Sequence, residues 1–317
     1  DLIKNLAKRK QLEQALSLAE NLLDVKEPKE DIFKKFGLDT KIQDPQTKIG
    51  DVWLYKEIIS KNVPTLIKSG KSKAFSFLCK LLNKAIKISI ELESENEDFS
   101  FIWRPAIEEH PQNIKEDVKN VLVDVVRDAT ELLIKENLAS LEEIIAHLES
   151  YSYPIFRRII LYLLWRFSEE AQELISKYLT DYHLFSDPHF RHEYTLLLQK
   201  AFRSLSPEEK KKIFKWIENG PEPELLEGKS SEERERYKRG WLHKQLARFN
   251  FEDLPEKWQK QYKELVKEFG EPEHPDLGVY FSTWSGPTSP LTVEELRQKP
   301  VEEIINFCVT ISNPELK

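Results

Sequence analysis

The chain has 317 residues, with 48 Lys and Arg against 55 Asp and Glu and a formal net charge of −7. That balance argues against a dedicated nucleic-acid binder, although a local basic face could survive it. Hydrophobic residues make up 40% and charged residues 32%, the composition of a globular chain with solvated helix faces, and 9 glycines are too few for a sheet protein full of tight turns.

No signal peptide and no apolar run of membrane-spanning length is visible, so the expected location is the cytoplasm, away from membranes. Cys79 and Cys308 lie far apart in apolar helical contexts and read as buried thiols rather than a disulfide. The start at Asp1-Leu2-Ile3 falls in mid-helix, which suggests a piece of a longer polypeptide.

Residues 2–24 predict a helix or a tight helix pair, with Leu12, Ala15, Leu16, Ala19, Leu22 and Leu23 on its apolar face. Glu27-Pro28 ends it, and an irregular connector with a short helix around Ile32–Phe36 leads to Asp51. Asp51 caps a second helical block, with Trp53, Leu54, Ile58 and Ile59 expected in the core. Pro64 either kinks it or starts a new helix, Ser69-Gly70 breaks it, and Phe75, Leu78, Cys79, Leu82, Ile86 and Ile90 step along one face beyond. The acidic run Glu91–Asp98 reads as a solvated loop or a docking site for a basic partner.

A long helix is predicted from Ile114 to about Glu136. Ser140 with Glu143 has capping-box spacing and opens the next. Pro154 fits a first helical turn, and the segment after it is apolar around most of its girth, which requires neighbours on more than one side. Ser168 is expected to cap a following helix and Asp187-Pro188 to open another. Ser206-Pro207-Glu208-Glu209 and Ser231 begin two more, and a further one follows Leu254-Pro255.

Helix-pair starts near residues 114, 154, 187 and 230 lie roughly 33–43 residues apart, within the period range of helical arrays. The expected fold is therefore all-α: an irregular α-solenoid of about six to eight antiparallel helix pairs, HEAT-like or TPR-like. Three regions are expected: an N-terminal helical block over 1–110, a central helical-repeat array over 111–270, and over 271–317 a Pro/Gly/aromatic connector with the start of a further helical unit. In that connector Tyr280, Phe281 and Trp284 cannot sit on an amphipathic helix and must pack on the chain itself or on a partner.

No catalytic signature stands out. His183, Asp187, His189, His192 and Glu193 crowd into eleven positions, and His and carboxylate ligands suit a divalent metal, but the spacing matches no recognised ligand pattern. A metal-dependent enzyme centred on His183, His189 and His192 is one rival reading. Arg157 and Arg158, extended by Arg203, Lys210, Lys211 and Lys212, form a possible strip for acidic or phosphate groups. As a HEAT-like nucleic-acid binder it is a second rival. Gly70-Lys71-Ser72 ends like a phosphate-binding loop, but the first glycine is replaced by Thr65 and no strand precedes it. No resident cofactor is expected.

The phrases YPIFRRIILYLLWRF, DPHFRHEYTLLLQKAF, LSPEEKKKIFKWIENGPE and WSGPTSPLTVEEL resemble the helical region downstream of the nucleotide-binding module in large prokaryotic STAND-type NTPases, including antiviral ones. The resemblance covers about residues 110–310. It implies an α-solenoid that senses a target and relays it to ATPase and effector modules. The ATPase motifs are not among these residues, so the resemblance implies no catalytic residue here. The expected role is a non-catalytic recognition scaffold of a defence-type NTPase. Its partner would be a protein or another domain of the same longer chain, with Arg157, Arg158, Tyr280, Phe281 and Trp284 as interaction candidates.

Overall fold

The computed structural model describes residues 1–27, 45–90, 98–113, 117–278, 280 and 293–310. The expected helix around 32–36, the acidic run 91–97, Phe281 and Trp284 lie outside the described residues. The described chain is helical almost throughout, with a single short antiparallel ladder pairing Val25 with Thr47 and Lys26 with Gln46. It divides into two compact units, Asp1–Tyr280 and Phe281–Lys317.

In the first unit, α1 (Leu2–Lys8) and α2 (Leu12–Leu23) form the expected tight pair, turned at Lys10, whose φ is 62°. Both pack on α3 (Val52–Ser89). Asp51 caps α3 by accepting the Leu54 N–H at 2.7 Å. The helix passes through Pro64 and breaks at Lys71, where φ is 43° and ψ is −122°. At the neighbouring Gly70 an added Cβ would stand 2.9 Å from Leu12 Cδ1, so a glycine there lets α2 approach closely.

The buried stripe of α3's first half is Tyr55, Ile59, Val63, Leu66 and Ile67. Trp53 and Leu54, expected in the core, face outward, with Trp53 70% exposed. A helical stripe is narrower than a run of consecutive apolar residues, and Tyr55 takes the inward position, its hydroxyl donating to the Leu23 carbonyl at 2.9 Å. The second half, from Ala74 to Ile86, packs on α5 (Val118–Lys135). This large contact joins residues on either side of position 110, so both lie in one unit.

Between α3 and α5 runs an irregular segment that includes the one-turn α4 (Ser100–Trp103). Irregular backbone inside a protein must find hydrogen-bond partners, and here arginines supply them. Arg104 donates to the Ala106 and Ile107 carbonyls at 2.6 and 2.8 Å, Arg127 to Ile107 at 3.0 Å, and Arg158 to Pro105 at 3.0 Å. Asp98, itself buried, accepts the Ser100 N–H and reaches across to the Ile155 N–H at 2.9 Å. It thereby supplies the carboxylate that the N-terminus of the helix beginning at Pro154 lacks locally.

Ser140 and Glu143 form the expected capping box of α6 (Leu141–Glu149). Next, α7 (Pro154–Arg166) is buried nearly all round, from Ile155 and Phe156 to the run Ile159–Leu164, as its apolar girth requires. Its neighbours are α6, α5, α8 (Gln172–Leu179) and, most extensively, α10 (Arg191–Ala201). Residue 168 is not the cap of α8. The chain turns over 167–170, and Ala171, without a capping side chain, precedes the helix. Asp181 caps the short α9 (Tyr182–Ser186), and Asp187 caps a 3₁₀ turn over Pro188–Phe190 that leads into α10. The remaining helices of this unit are α11 (Pro207–Asn219), α12 (Ser231–Leu246) and α13 (Glu256–Phe269), and capping boxes open the first two at Ser206/Glu209 and Ser230/Glu233. Helices that follow each other pack together at α1/α2, α6/α7 and α12/α13, while α3/α5 and α7/α10 skip over intervening elements.

In the second unit the described elements are α14 (Val293–Gln298) and α15 (Val301–Thr310). Among the described residues no helix is long and apolar enough to cross a membrane.

Candidate functional site

The histidine-rich stretch divides into two places. Around Asp187, whose Oδ1 accepts the His189 backbone N–H at 2.9 Å, the His189 ring sits with Nδ1 2.8 Å from Oδ1, and His183 Nε2 lies 3.6 Å from Oδ2. Burial tends to raise the Asp187 pKa, but the hydrogen bonds from His189 outweigh it and hold the carboxyl below its usual range. His192 points elsewhere. Its Nε2 is 2.6 Å from Glu108 Oε1 and its Nδ1 2.7 Å from Asp276 Oδ2. The three histidines His183, His189 and His192 therefore do not converge on one point. A 3₁₀ turn between Asp187 and α10 sets the helix phase so that His192 faces inward.

Among the described residues one group has metal-capable atoms close together: Glu108, His192 and Glu193, all within 4.8 Å of one another. Most of its donors already have protein partners, although Glu108 Oε2 is buried without a hydrogen bond. Glu193 is fully buried. It receives Arg158 Nη2 at 2.7 Å and the Ile107 N–H at 3.0 Å on Oε1, and Arg158 Nε at 2.9 Å on Oε2. Burial alone would lower the His192 pKa, but Asp276 and Glu108 on either side push it up to about 10. A protonated imidazole offers no lone pair to a cation. The group is built as a cluster of ion pairs that ties the 104–113 segment, α7, α10 and the chain beyond α13 together.

Arg157 and Arg158 are neighbours on α7 with opposite roles. Arg158 is completely buried against Glu193 and cannot meet an external partner in this fold. Arg157 is exposed. It borders a cleft of about 460 Å³ where the α6–α7 turn faces α9 and the 3₁₀ turn before α10. Tyr151, Tyr153 and Phe190 give this cleft aromatic surface, and His183 and the Asp187–His189 pair form its opposite side.

Burial pushes the Tyr151 phenol up to about 12 and raises that of Tyr153, so both stay neutral at physiological pH. Glu149, also on the rim, accepts Tyr178 Oη at 2.7 Å and Lys177 Nζ at 3.2 Å, and these bonds hold its carboxyl below the usual range. Among the described residues Arg157 makes no hydrogen bond or ion pair. Its charge is felt by Glu149 across the cleft rim, but its N–H donors are open.

Tyr280 is 44% exposed, with its ring stacked on His274 at 3.8 Å between centroids. The basic strip is broken up. Arg203 pairs with Asp253 at 2.5 Å, and Lys210 donates to the Arg203 carbonyl at 2.9 Å and lies over the Phe202 ring. The sequence reading missed Glu108 and Asp276, which lie in irregular stretches without a pattern. It also missed Arg248, buried between the rings of Phe185 and Tyr194, each 4.9 Å from its guanidinium carbon. Comparison of the chain with protein-family models, with curated proteins and with solved structures finds no match.

Proposed function

We propose that the chain is a non-catalytic recognition scaffold, an α-solenoid that presents the Arg157 cleft to a protein partner or to another domain of the same longer polypeptide. In the fuller form implied by the resemblance to STAND-type NTPases, it is the sensing region that relays target binding to ATPase and effector modules. The observation that carries the proposal is the contrast on α7. Arg158 is spent on a buried ion pair, while Arg157 stands at the mouth of an aromatic cleft with no hydrogen bond or ion pair among the described residues. Arginine beside aromatic surface is characteristic of the residues that dominate protein interfaces. The rival metal-centred reading is disfavoured by the separation of His192 from His183 and His189. The nucleic-acid reading loses Arg158 to the interior and Lys210 to local contacts.

Site-specific photocrosslinking in the producing cells tests this. A photoreactive residue at position 157 is expected to give one discrete adduct that a reactive residue at the exposed Lys263 does not. The same diffuse pattern at both positions would reject the proposal.

A further inference from the structure

We propose that the Arg157 cleft receives an oxyanion, a carboxylate or a phosphate, carried on an aromatic or aliphatic group. This rests on the recognition reading of the same cleft and names the chemistry it selects.

Charge comes first. The acids of the cleft are engaged: Glu149 by Tyr178 and Lys177, Asp187 by His189 and, at 3.6 Å, His183. The guanidinium of Arg157 makes no hydrogen bond or ion pair among the described residues and feels Glu149 only at a distance, so an incoming anion meets a cation whose N–H donors are open and carboxylates already screened by their own donors. The planar fork of arginine matches the two oxygens of a carboxylate or phosphate in parallel hydrogen bonds, a geometry a lysine does not offer. His183 adds an imidazole to the facing wall, its ring 5.6 Å from that of Phe190.

The N-terminus of α7 contributes little. Its Ile155 N–H is taken by Asp98 and its first residue, Pro154, has none. Anion affinity therefore rests on the Arg157 side chain rather than on the helix end.

Size comes second. About 460 Å³ lies within the range of small-molecule sites and exceeds what a bare inorganic ion occupies. Tyr151, Tyr153 and Phe190 supply the apolar faces against which the carrier group packs, while the anion sits at Arg157.

The test uses phenyl phosphate, phenylacetate and, as a neutral control, benzyl alcohol, titrated by calorimetry into the wild-type chain, Arg157→Gln and His183→Gln. Thermal melts confirm that both variants are folded, as expected for two exposed positions. At least one anion is expected to saturate the wild type, to bind at least tenfold more weakly to Arg157→Gln, and to lose less in His183→Gln. Tighter phenyl phosphate assigns a phosphorylated ligand, and phenylacetate of equal or greater affinity assigns a carboxylate. Anions that bind no better than benzyl alcohol, or equally to wild type and Arg157→Gln, overturn the proposal. A discrete crosslink at position 157 combined with that result would leave the recognition reading standing and remove only the oxyanion.

Discussion

Replacing Arg158 by alanine removes one side of a fully buried ion pair. In the native chain the guanidinium gives Glu193 two hydrogen bonds, of 2.9 and 2.7 Å, and the Pro105 carbonyl a third of 3.0 Å. Both side chains of the pair have 0% exposure, so water cannot stand in for the lost donor. In Arg158→Ala the Glu193 carboxylate keeps the Ile107 N–H and the His192 ring nearby but loses its only directly bonded cation. Breaking such a pair from one side costs about 3–5 kcal/mol, most of it the burial of the charge left behind. For a unit of this size each kcal/mol lowers the Tm by roughly 2–4 °C, so the loss is plain in a thermal melt and in the urea midpoint. Removing both charges, as in Arg158→Met with Glu193→Leu, is expected to recover much of it. A single variant within about 1 kcal/mol of wild type, or a double variant worse than Arg158→Ala, would refute the reasoning.

Three further outcomes follow from the same physics. Arg248 is as buried as Arg158 but has no carboxylate partner among the described residues, and burial beside Arg191 pushes its pKa down to about 9. Arg248→Met is therefore expected to cost no more than about 2 kcal/mol in a urea melt, for the unmade bonds to Thr195 and the Phe185 carbonyl; a cost equal to that of Arg158→Ala contradicts this. Trp53→Lys, at an outward position, is expected to change stability by about 0.5 kcal/mol or less, and a cooperative melt lowered by 10 °C would return Trp53 to the core.

The third outcome concerns pH. His192 is raised from 6.5 to about 10 in the fold, so its contribution is fully present below about 6.5 and is lost as pH rises towards about 10. Unfolding free energies from urea melts across that window are expected to fall in the wild type by at most about 1.4 kcal/mol per pH unit, and to be flatter in His192→Gln. Equal slopes in the two proteins would show that His192 is not held as an imidazolium.

What the sequence displays depends on how local the physics is. The caps at Ser140, Ser206 and Asp187 are legible because donor and acceptor lie two or three residues apart. The burial of α7 is legible because its apolar residues leave no side free for solvent. Trp53 and Leu54 mislead because consecutive apolar residues do not mark which side of the helix the core lies on; Tyr55, Ile59 and Val63 do. The ladder of Val25 and Lys26 is too short to show any alternation. Ser168 has the composition of a cap, but the turn over 167–170 delays the helix past it.

The Arg158–Glu193 pair is 35 residues apart in sequence, and Glu108 and Asp276 each lie 84 from His192. No local pattern carries such distances. The cleft is an intermediate case. Arg157, His183 and His189 are all visible as polar residues beside apolar helix faces, but their meeting depends on α7 and α10 packing together. The opposite fates of Arg157 and Arg158 follow from the roughly 100° between successive residues of a helix.

The recognition reading is tested most directly by charge exchange. With the partner residue identified from the crosslink at position 157, binding is compared for the wild-type chain and Arg157→Glu, each against the native partner and a partner whose contacting acid is changed to arginine. Expected are a loss of at least tenfold in affinity for Arg157→Glu with the native partner and recovery when both charges are reversed. Undiminished binding of Arg157→Glu to the native partner would contradict the assignment of this cleft as the recognition surface.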